Sequence, residues 1–125
     1  MKKTNVIIYW VSTILLSIGM FSGGIAQLLK AKETVDGIVH LGYPIYFTSI
    51  IGTWKVLGVI VLLIPKFALM KEWAYAGFFF AMSGAVFSHV ASGDAILNYL
   101  APFVFALLTV VSWYFRPVDR KIITK

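Results

Sequence analysis

The chain has 125 residues, 60% of them hydrophobic and only 13% charged, with a formal net charge of +6. A soluble domain of this size needs more polar surface than that composition supplies. The absence of cysteine excludes disulfides, thiol redox chemistry and thiolate metal sites, and two histidines without clustered carboxylates or an HExxH pattern do not make a zinc site.

Apolar stretches long enough to cross a hydrocarbon core of about 30 Å, at about 1.5 Å per residue, account for the composition. The expected fold is therefore an all-α membrane protein. Residues 1–125 form one domain, a four-transmembrane-helix bundle with a short outer-loop helix between helices 1 and 2.

The first segment runs from about Asn5 to Leu29, behind Lys2 and Lys3. Its apolar run exceeds the roughly 7–15 residues of a signal-peptide core, so a retained helix is expected. Ser12, Gly19, Gly23 and Ala26 fall at spacings that allow close helix contact, and Gln27 lies one turn after Gly23. The connection from Lys30 to Tyr46 begins polar. Thr34 is placed to cap a short helix whose Val35, Ile38, Val39 and Leu41 share a face, and Gly42, Tyr43 and Pro44 end it.

The second segment, from about Phe47 to Ile64, stops at Pro65 and Lys66 and carries Lys55 with no acid beside it. The third, from about Glu72 to Ser92, has a small-residue stripe of Gly77, Ala81, Gly84, Ala85 and Ser88. The fourth, from about Ala95 to Phe115, contains Pro102, which should bend it, and ends in the interfacial pair Trp113 and Tyr114.

Basic residues set the expected orientation. Lys2, Lys3, Lys66, Lys71, Arg116, Arg120, Lys121 and Lys125 fall on one side; Lys30 and Lys32, offset by Glu33, Asp36 and Asp94, fall on the other. The excess of Lys and Arg in cytoplasmic loops then places both termini in the cytoplasm of a multi-pass cell-membrane protein. It also accounts for the basic balance without nucleic acid.

Lys55 is about eight residues inside its helix, roughly 12 Å from the outer end, and His89 is roughly 7 Å from the same surface. With Gln27 and Asp94 they form an expected polar cluster near the outer leaflet. Intramembrane ions are functional candidates by default. Each residue also has a plain structural reading. Lys55 can snorkel and tie helices together, His89 can bond a backbone carbonyl, Gln27 can bond across helices, and Asp94 can cap helix 4. His40, in the loop, carries little signal. Ser88 and His89 are adjacent on a helix and point apart, so they are no dyad. No catalytic residue, metal site or bound cofactor is assigned.

Leu41, Gly42, Tyr43 and Pro44, then Gly52, Thr53, Trp54, Lys55 and Gly58 before a proline-ended helix, resemble the DoxX-like family. Trp73, Gly77, Ser83, Gly84, Ala85, Ser88, His89, Gly93 and Asp94 continue the likeness, as do Ser22, Gly23 and Gly24 before Gln27 and Leu28. The resemblance implies a small four-helix inner-membrane protein. Founding members of that family are membrane subunits associated with a thiosulfate–quinone oxidoreductase. Relatives are linked to oxidative-stress complexes, and an animal branch assists assembly of nicotinic receptors.

The expected function is a non-enzymatic membrane module. It would bind a membrane or soluble protein partner, or a lipid-like or quinone-like molecule, in an outward-opening cavity lined by Gln27, Lys55 and His89. Membrane lipid and a second copy of the chain are further candidate partners; nucleic acid is not. One alternative is the membrane subunit of a quinone-linked oxidoreductase. A second is a small proton-coupled carrier, against which stand the short chain and the lack of an inverted repeat.

Overall fold

A computed structural model describes residues 2–122, so Lys125 lies outside the described residues. Five α-helices follow in order: α1 (Lys3–Leu28), α2 (Lys32–His40), α3 (Phe47–Leu63), α4 (Ala68–Ala91) and α5 (Ile96–Tyr114), with a 3-10 turn at Val118–Arg120. There is no strand among the described residues. By length and composition α1, α4 and α5 can each cross a membrane; α3 is apolar but shorter, at 17 residues.

Two helix starts differ from expectation for local reasons. α4 begins at Ala68, four residues earlier than Glu72, because Lys66 and Phe67 both adopt left-handed backbone (φ 67° and 56°) and reverse the chain directly after Pro65. α2 begins at Lys32 with Ala31 in the cap position and no side-chain cap. Thr34 instead donates its hydroxyl back to the Ala31 carbonyl at 2.7 Å, satisfying one backbone acceptor from inside the first turn.

α1 packs against α3 and α5, and α4 packs against α5 and α3, so the four longer helices form a ring. Leu16 and Met20 of α1, Val59 and Leu62 of α3, and Tyr75, Phe78 and Met82 of α4 make its buried apolar centre. A chain of hydroxyls crosses this centre: Thr13 Oγ1 meets Ser112 Oγ at 2.6 Å, and Tyr75 OH meets the same oxygen at 2.8 Å. Such bonds hold helices together where lipid supplies no hydrophobic drive between them.

Glycine sets how closely the helices approach. A Cβ on Gly24 would lie 3.1 Å from the Gly52 carbonyl oxygen, and a Cβ on Gly52 would lie 2.9 Å from that of Gly24. The backbones of α1 and α3 therefore touch. Gly19 and Gly58 are covered by the rings of Phe105 and Phe78. By contrast, no other helix among the described residues comes within 4 Å of a Cβ placed on Gly77 or Gly84. The α4 stripe is left unpacked at these two positions.

The last carbonyls of a helix lack intrahelical partners and carry partial negative charge. At α3 two cations supply the missing donors. Lys71, 1% exposed, donates Nζ to the carbonyls of Val61, at 2.6 Å, and Ile64. Arg120 donates Nη1 to Leu62 O at 2.7 Å and Nη2 to Leu63 O at 3.4 Å, with its guanidinium 4.9 Å from the centre of the Trp10 ring. α1, α3, α4 and the 3-10 turn are joined at this point.

These contacts predict an asymmetric response to one added methyl group. Gly52→Ala forces backbone against backbone and should cost about 1–3 kcal/mol, the range for overpacking. Gly84→Ala meets open space inside α4 and should be neutral or stabilising by up to about 1 kcal/mol. Denaturation of both variants in mixed micelles, followed by circular dichroism, checks the contrast.

Candidate functional site

The α1–α3 contact determines where Lys55 sits. Gly24 and Gly52 bring the two backbones together, and Lys55 follows Gly52 by three residues on the same side of α3. Its Cβ lies 3.1 Å from a Cβ placed on Gly24, and its Nζ 3.9 Å from one placed on Gly23. A larger residue at either glycine would crowd the lysine stem. No ion pair among the described residues includes Lys55. Gln27, one turn further along α1, is 8% exposed, and its Oε1 has no hydrogen-bond partner among the described residues. A half-buried cation and a buried unpaired acceptor thus border the same helix contact.

Lys55 also borders a cleft of about 400 Å³ between α3 and α4. Phe78 packs over Gly58 beside it, and the indoles of Trp54 and Trp73 flank it at 64% and 67% exposure. Gly77, with no side chain, leaves the α4 side open. The volume falls in the range of small-ligand sites, about 300–1,000 Å³. Among the described residues that line the cleft, Lys55 is the one with a charge. An apolar wall with a single strong donor selects an apolar molecule carrying an acceptor. A second cleft of about 310 Å³ lies between α4 and α5, beside Glu72 and Trp113. There Glu72 is already engaged, paired to Arg116 at 3.0 Å and accepting from Trp113 Nε1 at 2.9 Å.

His89 and Asp94 come together elsewhere. Asp94 follows α4 and uses both carboxylate oxygens: Oδ2 meets His89 Nδ1 and Oδ1 meets His40 Nε2, each at 2.7 Å. An ionised carboxylate only accepts, so both of these ring nitrogens carry hydrogen. The arrangement leaves Nε2 of His89 as the ring position not used by Asp94. Alongside, Tyr43 OH and Ser88 Oγ share a hydrogen bond of 2.7 Å, and the Tyr43 ring stacks on Phe47 with centroids 4.7 Å apart. The end of α2 and the segment after it are fastened to the end of α4.

The four sequence-predicted residues thus fall into two pairs. Gln27 and Lys55 border the α1–α3 contact, whereas His89 and Asp94 form a clasp with His40. The cleft beside Lys55 reaches Ala81 on α4. His89 lies eight residues beyond Ala81, about 12 Å along the helix. Asp94 does not cap α5: Ala95 holds the cap position and no side chain bonds there. Sequence reasoning passed over His40. The available signal was chemical, an imidazole on the same expected side as the Asp94 carboxylate. Ser88 is bonded to Tyr43, not to His89.

Hydrogen bonds from His89 and then His40 hold the Asp94 carboxyl below its ordinary value of 3.8. A depressed carboxyl stabilises the folded state above its unfolded value, and that contribution disappears as pH falls through the lower folded value. Thermal stability of the parent should therefore drop more steeply than that of Asp94→Asn as pH is lowered below about 4. Melting curves of the two proteins from neutral to acid pH measure the difference.

The model of the DoxX-like family matches residues 11–112, which include Gln27, Lys55, His89 and Asp94. No curated protein and no solved structure matches the chain. With the match spanning all three helices long enough to cross a membrane, at least in part, the chain belongs to the DoxX-like family of membrane proteins.

Proposed function

We propose that the chain is a multi-pass cell-membrane module that holds an apolar membrane molecule, lipid-like or quinone-like, in the cleft between α3 and α4. In this reading α3 is a fourth span in a single-domain four-helix bundle. Both termini are cytoplasmic, and α2 lies on the outer side. Lys55 donates a hydrogen bond to one carbonyl or anionic oxygen of the ligand, and Trp54 and Trp73 cover its apolar body. The module acts without chemistry of its own, alone or as a subunit beside a protein partner.

The observation that carries this reading is Lys55, without an ion-pair partner among the described residues, at the border of an apolar cleft of about 400 Å³. A charge in hydrocarbon is costly without compensation. A ligand oxygen at Nζ offsets that cost, and the surrounding apolar wall contributes affinity through buried area.

A second reading rests on the His89–Asp94 pair. Asp94 orients the ring and leaves Nε2 unused by the carboxylate, an arrangement suited to moving a proton. This would serve a membrane subunit of a quinone-linked oxidoreductase. It requires His89→Ala to abolish a quinone reduction that the intact protein supports with its soluble partner.

The leading reading predicts saturable quenching of Trp54 and Trp73 fluorescence by a decyl-chain benzoquinone in nanodiscs. A hydrogen bond from a charged donor is worth about 1.5–3 kcal/mol, so Lys55→Met should weaken binding by about ten- to a hundred-fold. Gly77→Phe, which places a ring in the open side of the cleft, should abolish saturation while the melting temperature holds. Unchanged titrations in both variants overturn the reading.

A further inference from the structure

The end of the molecule formed by the start of α1, the α3–α4 turn and the 3-10 turn carries cations that its acids do not balance. Arg116 is paired to Glu72. Lys71 and Arg120 direct donors to backbone carbonyls, and no carboxylate among the described residues pairs with either. Lys66, exposed in the turn, and Lys121, beside Arg120, have no ion-pair partner among the described residues. Lys2 and Lys3 project from the same end, because Arg120 lies over the rings of Tyr9 and Trp10 within α1. The acids present here are Glu72, already paired, and Asp119. At the opposite end the charges of Lys30 and Lys32 are offset by those of Glu33, Asp36 and Asp94.

Backbone carbonyls satisfy the donors of Lys71 and Arg120 but do not cancel their charge. Arginine stays protonated in any protein setting. The surrounding lysines add to the field, and a bilayer phosphate is the anion within reach of an integral membrane protein. Phe67, 57% exposed beside Lys66, gives the turn an apolar tip to lie among acyl chains while Lys66 meets headgroups.

We propose that this end is a binding surface for anionic phospholipid headgroups, centred on Lys66 and Lys121 around the buried Lys71 and Arg120. The surface is distinct from the α3–α4 cleft and does not depend on it. It selects lipid by headgroup charge, not by chain. A lysine at an anionic headgroup strengthens association by up to about five-fold, and one headgroup engages about one lysine at a time; salt weakens the association.

The test uses the intact protein in phosphatidylcholine vesicles carrying a trace of spin-labelled phosphatidylglycerol or, in parallel, spin-labelled phosphatidylcholine. The motionally restricted fraction gives the relative association constant of each lipid. Phosphatidylglycerol should associate about five-fold more strongly than phosphatidylcholine, and the preference should collapse in about 1 M salt. In Lys66→Gln/Lys121→Gln it should fall to within about two-fold of equality. Lys30→Gln/Lys32→Gln removes the same charge from the opposite end and should keep the preference. Equal association of both lipids with the parent overturns the proposal. So does an equal loss in the two double variants, or an unchanged preference in the first.

Discussion

The contact between the backbones of Gly24 and Gly52 is the constraint on which the site geometry depends. A Cβ on either residue would lie 2.9–3.1 Å from the other's carbonyl oxygen, so a larger residue at either position pushes α1 and α3 apart. The close approach encloses Gln27 and carries Lys55 into a notch beside Gly23. It also sets α3 against α4 so that Gly58 receives the Phe78 ring and the adjoining cleft stays open above Gly77. A one-residue change at the crossing would be felt at the lysine, at the glutamine and along the cleft wall together.

The chain treats the cations packed among its helices in two ways. Lys71 and Arg120 have acceptors, the terminal carbonyls of α3, and each is fixed by them. Their arrangement explains itself as structure: helix-end acceptors meet donors, and the helix dipole favours positive charge there. Lys55 has no comparable explanation. It lies in the middle of α3, away from the dipole's end, and no ion pair among the described residues includes it. The difference in partners, not the difference in burial, separates a fastening cation from a candidate binding cation.

The helices themselves were legible because long apolar runs have few alternatives in sequence. Their precise starts were not. Lys66 and Phe67 take left-handed backbone that neither residue type announces, and this moves the start of α4 by a turn. Lys71 reads as a loop cation in sequence, yet it is buried, because its acceptors are backbone carbonyls of another helix and leave no residue signature. Of the small residues expected to pack on α1, Gly19 meets the Phe105 ring and Gly23 the end of Lys55, but the backbone contact falls at Gly24, outside that set; Gly77 and Gly84 look the same in sequence but face open space among the described residues. Small size permits close packing without requiring it. The pairing of His40 with Asp94 depended on where a connecting segment comes to lie across the fold, and hydrophobic periodicity carries no record of that.

The capping of α3 also bears on the match between protein and bilayer thickness. A helix of 17 residues is about 26 Å long, short of a hydrocarbon core of about 30 Å. In the four-span reading its last turn would open into acyl chains, where bare carbonyls are heavily penalised. Lys71 and Arg120 seal that turn from within, so α3 needs no local thinning of the bilayer to bring its end to water. The shortest span can then end below the headgroups while its longer neighbours reach the interface, leaving a shallow step in the protein surface at that leaflet.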